Sequence, residues 1–259
     1  MPKFCANLTM LFNEVDFLDR FEKAATAGFK GVEYLFPYAW KKEQLAEKLG
    51  AFGLSQALHN LPAGDWNKGE RGIACLPGRE TEFQEGVGKA IEYAKALKCP
   101  QVNCLAGLTP AGVPADKVRK TLVANLRFAA AALEKEGIRL LVEALNDKDV
   151  PGFYLVRTAD VLALIQEVGH PNVYVQYDVY HMQIMEGNLT KTIQANLDKI
   201  AHIQIADNPG RNEPGTGEIN YPYLFKTIDA AGYQGWIGCE YKPAGKTEDG
   251  LGWLQPFRR

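Results

Sequence analysis

The stretch KVRKTLVANLRFAAAALEKEGIRLLVEAL, residues 117–145, carries three signals in a row. Apolar residues recur at helical spacing up to Leu133, Gly137 stops the helix, and IRLLVEAL follows as a short buried strand. Within that strand Leu141, Glu143 and Leu145 share one face. The same unit recurs along the chain. Strands are expected at 4–10, 31–36, 55–60, 101–107, 138–145, 173–178, 202–207 and 236–241. Helices are expected at 16–28, 41–53, 81–99, 115–136, 158–169, 188–200 and 221–232, with a short last one near 247–254. Asp16 and Thr158 read as N-caps, and Pro222 belongs in a first helical turn.

Eight strand–helix units in 259 residues have the size of a (β/α)8 barrel. The expected fold is therefore α/β, a single TIM-barrel domain over residues 1–259 with parallel strands. A doubly wound open sheet is the competitor. Two observations oppose it: no GxGxxG follows the first strand, and polar residues end several non-adjacent strands. The loops at 61–80 and 107–115 read as excursions over the barrel mouth.

Net charge is −2, so no basic surplus favours nucleic acid or an anionic membrane. No apolar run approaches the length of a membrane span, and MPKFCANLTMLFNEVD lacks the long apolar core of a signal peptide. Five cysteines with no CxxC suit reduced thiols in a cytoplasmic protein. Self-association into a homo-oligomer is left open.

In a barrel, reactive side chains sit at the C-terminal ends of the strands. Glu143, Asp178, Gln204 and Glu240 occupy such places on strands five to eight, and alternation lets all four face the mouth. Three carboxylates buried together repel unless a cation joins them. Oxygen donors suit a hard divalent ion, Mg2+ or Mn2+. Glu143 and Glu240 could flank a hydroxy-carbonyl substrate and move a proton between its neighbouring carbons. A lone buried glutamate is commonly a structural ion pair; three acids and an amide on four successive strands favour the metal site.

Several segments resemble the xylose-isomerase-like TIM barrels, and most closely the hydroxypyruvate isomerase family: FPYAW, LPGRE, LVEALN, YDVYHMQ, HIQIAD, GEINYP and GWIGCEYKP. The resemblance implies an aldose–ketose type isomerase without a nucleotide cofactor, interconverting hydroxypyruvate and tartronate semialdehyde. Related members act on four-carbon oxo-acids. It implies Glu143, Asp178, Gln204 and Glu240 as metal ligands and Glu143 and Glu240 as the proton-transfer pair. His181, three residues after Asp178, and Arg211, after ADNPG, match substrate-contacting residues of the related ketose epimerases. Those epimerases carry histidine where this chain has Gln204, which favours the hydroxypyruvate-type branch.

A small hydroxy-oxo acid substrate also needs a cation for its carboxylate. Arg79 and Lys242 are the candidates, with Arg71 behind them. Arg79 could equally cap a helix, and Lys242 could pair with a ligand carboxylate. His59 ends strand three and either lines the mouth or packs; His202, below Gln204, reads as a core histidine. Trp66, Phe12, Phe36 and Tyr38 are candidates to roof the pocket. The competing functions are a ketose 3-epimerase or a polyol dehydratase on the same scaffold, an apurinic-site endonuclease, and a sugar-binding domain without activity.

Overall fold

The computed structural model describes residues 1–257. Eight strands, β1 (Lys3–Asn7), β2 (Gly31–Glu33), β3 (Ser55–Asn60), β4 (Gln101–Cys104), β5 (Arg139–Glu143), β6 (Val173–Asp178), β7 (Ile200–Ile205) and β8 (Trp236–Cys239), close in sequence order. Every neighbouring pair is parallel, and β8 pairs back onto β1. Helices α1 (Arg20–Thr26), α2 (Lys42–Phe52), α3 (Glu80–Leu97), α4 (Ala115–Glu134), α5 (Thr158–Val168), α6 (Val179–Met185), α7 (Leu189–Ala195) and α8 (Tyr221–Ala230) connect them.

The expected strands are all present: β3 and β6 match the expected bounds, β1, β2, β4 and β8 end two or three residues early, β5 is shorter at both ends, and β7 is shifted two residues toward the N-terminus. Gly53 and Gly169 end α2 and α5 with φ of 62° and 63°, a left-handed conformation that glycine adopts without strain. Pro222 lies in the first turn of α8, where Asn220 caps Tyr223 N. Thr158 is not an N-cap: it is the first helical residue, and its hydroxyl donates to Glu186. The expected last helix is a 3-10 run, Thr247–Phe257, whose Trp253 and Phe257 pack on Phe4 and Phe225. The helix α6 was not expected; it starts directly from the end of β6.

Apolar residues such as Val32, Val102, Val142 and Ile203 fill the layer between strands and helices. The barrel interior is different. Leu58, Leu141 and Ala201 plug its lower end, with Tyr174 packed against them. Above the plug the interior is polar. Glu33, 1% exposed, accepts from Asn7 Nδ2 (2.9 Å), His202 Nε2 (2.6 Å) and Gln204 Nε2 (2.8 Å). Gly238 on β8 makes room for it, because a Cβ there would overlap the Glu33 carboxylate. All five cysteines are free and buried. Among the described residues, no helix is long and apolar enough to cross a membrane.

Candidate active site

A cavity of about 700 Å3 opens at the C-terminal ends of the strands. Glu143, His181, Arg211, Glu240 and Lys242 line it, together with Trp66 and Arg71 from the 61–80 loop. The loop at 107–115 does not roof it; Leu108 pairs with Phe153 in an antiparallel bridge instead.

Parallel register sets the floor. Glu143 pairs with Gln176, Asp178 with Gln204, and Gln204 with Gly238, two residues before Glu240. Glu143, Asp178 and His181 place ligand atoms within 4.8 Å of one another, all buried. Glu240 stands outside that triangle, with its Oε1 3.3 Å from Arg211 Nη2. Asn103 Nδ2 donates to Glu143 Oε2 (3.0 Å). Burial pushes the Glu143 carboxyl well above the usual carboxylate range, and Glu240 and Asp178 add to the rise. Burial likewise pushes Glu240 up to about 8; Arg211 opposes this, and Asp178 and Glu33 reinforce it.

The chain's own groups hold these side chains in place. Asp178 Oδ1 accepts from the backbone N–H of Tyr180 (2.7 Å) and His181 (3.3 Å), so the carboxylate both ends β6 and caps α6. His181 Nδ1 accepts from the backbone N–H of Asn146 (3.2 Å). A backbone N–H only donates, so the proton of the neutral ring sits on Nε2. Burial lowers the His181 pKa to about 4, which keeps the ring neutral. Its Nε2–H, 3.7 Å from Asp178 Oδ2, is therefore a neutral donor at the cavity wall.

Arg211 rides on a loop built around Asp207. That buried carboxylate accepts from the N–H groups of Asn208, Gly215, Gly217 and Ile219 at 2.8–3.1 Å. Arg211 lies between Glu240 and Asp149 (3.7 Å) and over the Tyr180 ring.

Gln204, an amide on a fully buried strand, is satisfied inside the barrel. Its Nε2 donates to Glu33, and its Oε1 accepts from Gln176 Nε2 (2.6 Å). Both ends of the amide are thereby fixed, and Oε1 keeps a second lone pair. The donor set fits a hard divalent ion: Glu143, Asp178 and Glu240 bring three buried carboxylates against a single adjacent cation, Arg211, with a neutral oxygen from Gln204.

Two expected substrate contacts lie elsewhere. Arg79 does not reach the cavity. It forks onto Glu82 (Nε 2.8 Å, Nη2 2.7 Å) and pairs with Glu70, tying the 61–80 loop to the start of α3. His59 points outward on β3, fully buried, beside Tyr38 and α3, with both ring nitrogens lacking a partner. Burial lowers its pKa to about 4. His202 is a core residue as expected, though bound to Glu33 rather than packed in apolar surroundings. Of the four roof candidates only Trp66 lines the cavity; Phe36 packs behind it. The residues that the sequence reading passed over are Glu33, Asn103, Gln176 and Asp149. Glu33 is a lone acid in a short apolar run, and its partners lie up to 171 residues away.

Residues 21–257 match the family model of xylose isomerase-like TIM barrels. Over 258 residues, covering 100% of both chains, the chain is 58% identical to a hydroxypyruvate isomerase of Escherichia coli. It is 49% identical to a 2-oxo-tetronate isomerase of Cupriavidus necator, over 99% of each chain. It superimposes with a TM-score of 0.98 on a crystal structure from Brucella melitensis described as an AP endonuclease of family 2, 47% identical over 100% of both chains. The chain belongs to the xylose isomerase-like TIM barrels and, among them, to the hydroxypyruvate isomerase family.

Proposed function

We propose that this chain is a divalent-metal-dependent isomerase that interconverts hydroxypyruvate and tartronate semialdehyde. The carrying observation is the pair of buried glutamates, Glu143 and Glu240, facing one cavity beside Asp178 and Gln204. The full-length relative at 58% identity supports the same substrate. A four-carbon oxo-acid is the second reading: the cavity of about 700 Å3 leaves room beyond three carbons, and a relative at 49% identity acts on such an acid.

Glu143, Asp178, Gln204 and Glu240 would hold the ion. When bound, it would neutralise the carboxylates and polarise the substrate carbonyl. One glutamate takes the proton from the CH2OH carbon of hydroxypyruvate, leaving an enediolate. The other delivers a proton to the adjacent carbon while the hydroxyl proton passes from the carbinol oxygen to the former carbonyl oxygen, so the carbinol becomes the aldehyde and the ketone the alcohol. The neutral His181 Nε2–H is available to donate to a substrate oxygen, and Arg211 steadies Glu240.

DNA cleavage is disfavoured on two counts. Each candidate metal group among the described residues has one histidine, and a net charge of −2 offers phosphates little attraction. Assaying hydroxypyruvate against free ketoses with Mg2+ tests the proposal; turnover of uncharged ketoses alone would sink it.

Metal binding should be proton-linked. Without a cation Glu240 titrates near 8, so at pH 7 it carries a proton that the ion must displace. Mn2+ affinity is expected to rise with pH, by at least about tenfold per unit below pH 8, since the raised Glu143 carboxyl must give up its proton as well. Calorimetry in buffers of different ionisation heat measures the release. Affinity independent of pH between 6 and 8 would contradict the assignment.

A further inference from the structure

The floor of the cavity carries three acids, so a substrate carboxylate must be held away from them by a cation that is not already neutralised. Three cations line the cavity: Arg71, Arg211 and Lys242. Arg211 is shared between Glu240 and Asp149. Lys242 is exposed and offers a single flexible ammonium. Arg71 differs from both. Its guanidinium lies 4.0 Å from the Trp66 ring centre, and its Nη1 donates to the carbonyls of Trp66 (3.2 Å) and Glu70 (2.8 Å).

Those contacts leave the Nε–Nη2 edge without a protein partner among the described residues. That edge is one of the faces that grips a carboxylate with two parallel hydrogen bonds. The neighbouring acid, Glu70, is taken by Arg79. The loop itself is pinned: Gly72, at φ 113°, donates its N–H to Ala63 O (3.0 Å), and a Cβ there would overlap the Leu105 carbonyl. A stacked, doubly anchored guanidinium with one open edge is preorganised for an anion.

We propose that Arg71 binds the substrate carboxylate and selects hydroxy-oxo acids over uncharged ketoses. This rests on the acid-isomerase reading of the same site. Arg79, expected to take this part, instead holds Glu70 clear of Arg71.

The test compares wild type, Arg71→Met and Arg71→Lys, each loaded with Mg2+. Two quantities are measured: turnover of hydroxypyruvate, and binding of glycerate, an acid without the reacting carbonyl. Dihydroxyacetone serves as a neutral competitor. In Arg71→Met the KM for hydroxypyruvate and the Kd for glycerate are expected to rise by about 10²-fold. Turnover at saturation and dihydroxyacetone inhibition should change little. Lysine, which keeps the charge but not the fork, should restore part of the loss. Unchanged glycerate binding overturns the assignment. So does a parallel loss for dihydroxyacetone, which would make Arg71 a prop of the Trp66 loop. If wild type binds glycerate through Arg71 but does not isomerise hydroxypyruvate, the proposed reaction fails and the anion site stands.

Discussion

Glu143→Gln and Glu240→Gln are each expected to cut kcat for hydroxypyruvate by about 10³-fold, within the range for loss of one acid–base group and a metal ligand together. The two should differ in what survives. If one glutamate removes the proton and the other returns it, the variant that keeps the removing group still exchanges the substrate's carbon-bound hydrogen with solvent deuterium. The other variant should be silent in both assays. Their stabilities should move against their activities. Both carboxyls are strained by burial and by neighbouring acids, Glu240 and Asp178 at Glu143 and Asp178 and Glu33 at Glu240, so neutral glutamine relieves the metal-free protein and its Tm should rise. The Asn103 contact at Glu143 survives the change, because the new amide oxygen can still accept. Either variant retaining a tenth of the wild-type kcat would remove it from the proton-transfer pair.

Glu33→Ala is expected to be among the most damaging single changes to stability. Ionised Glu33 accepts from three buried side chains, and Cys5 Sγ lies 3.4 Å away. Burial raises its pKa, but His202, Gln204 and Asn7 outweigh this and hold it below the usual carboxylate value. Truncation leaves those donors unmatched inside the barrel, at a cost of about 3–5 kcal/mol, or on the order of 10 °C in Tm. The stability that Glu33 contributes is present above the unfolded carboxylate pKa, near 4.5, and disappears as pH falls through its lower folded value. A loss under 1 kcal/mol by chemical denaturation would mean that water replaces the carboxylate. Mn2+ affinity should fall as well, since Gln204 loses the partner that fixes its amide.

The barrel was legible because its signals are local. Short apolar runs, glycine stops and amphipathic helices each fit within a dozen or so residues, and eight repeats leave few topologies. Strand alternation also placed Glu143, Gln204 and Glu240 correctly on the inner face, since it depends on neighbours alone. The errors fall where long-range contacts decide. His59 and Asn60 are adjacent on β3 yet face opposite ways, and only Asn60 lines the cavity. Arg79 and Arg71 are eight residues apart in one loop, and Glu70 decides between them by pairing with the first. The helix α6 escaped because Asp178 serves both as the last strand residue and as the cap, leaving no loop between the elements.

The space that Gly238 leaves for Glu33 ties those two positions together across evolutionary time. Alanine at 238 is barred while glutamate occupies 33, and a smaller residue at 33 opens a void that only a larger residue at 238 could fill. Each single step is harmful while the pair of steps is less so, which is sign epistasis. A lineage that has adopted the buried acid is therefore held to it by a residue with no side chain at all. In a deep mutational scan, position 238 should be as intolerant as the proposed metal ligands, and Gly238→Ala should become tolerated only in backgrounds where Glu33 has been shortened.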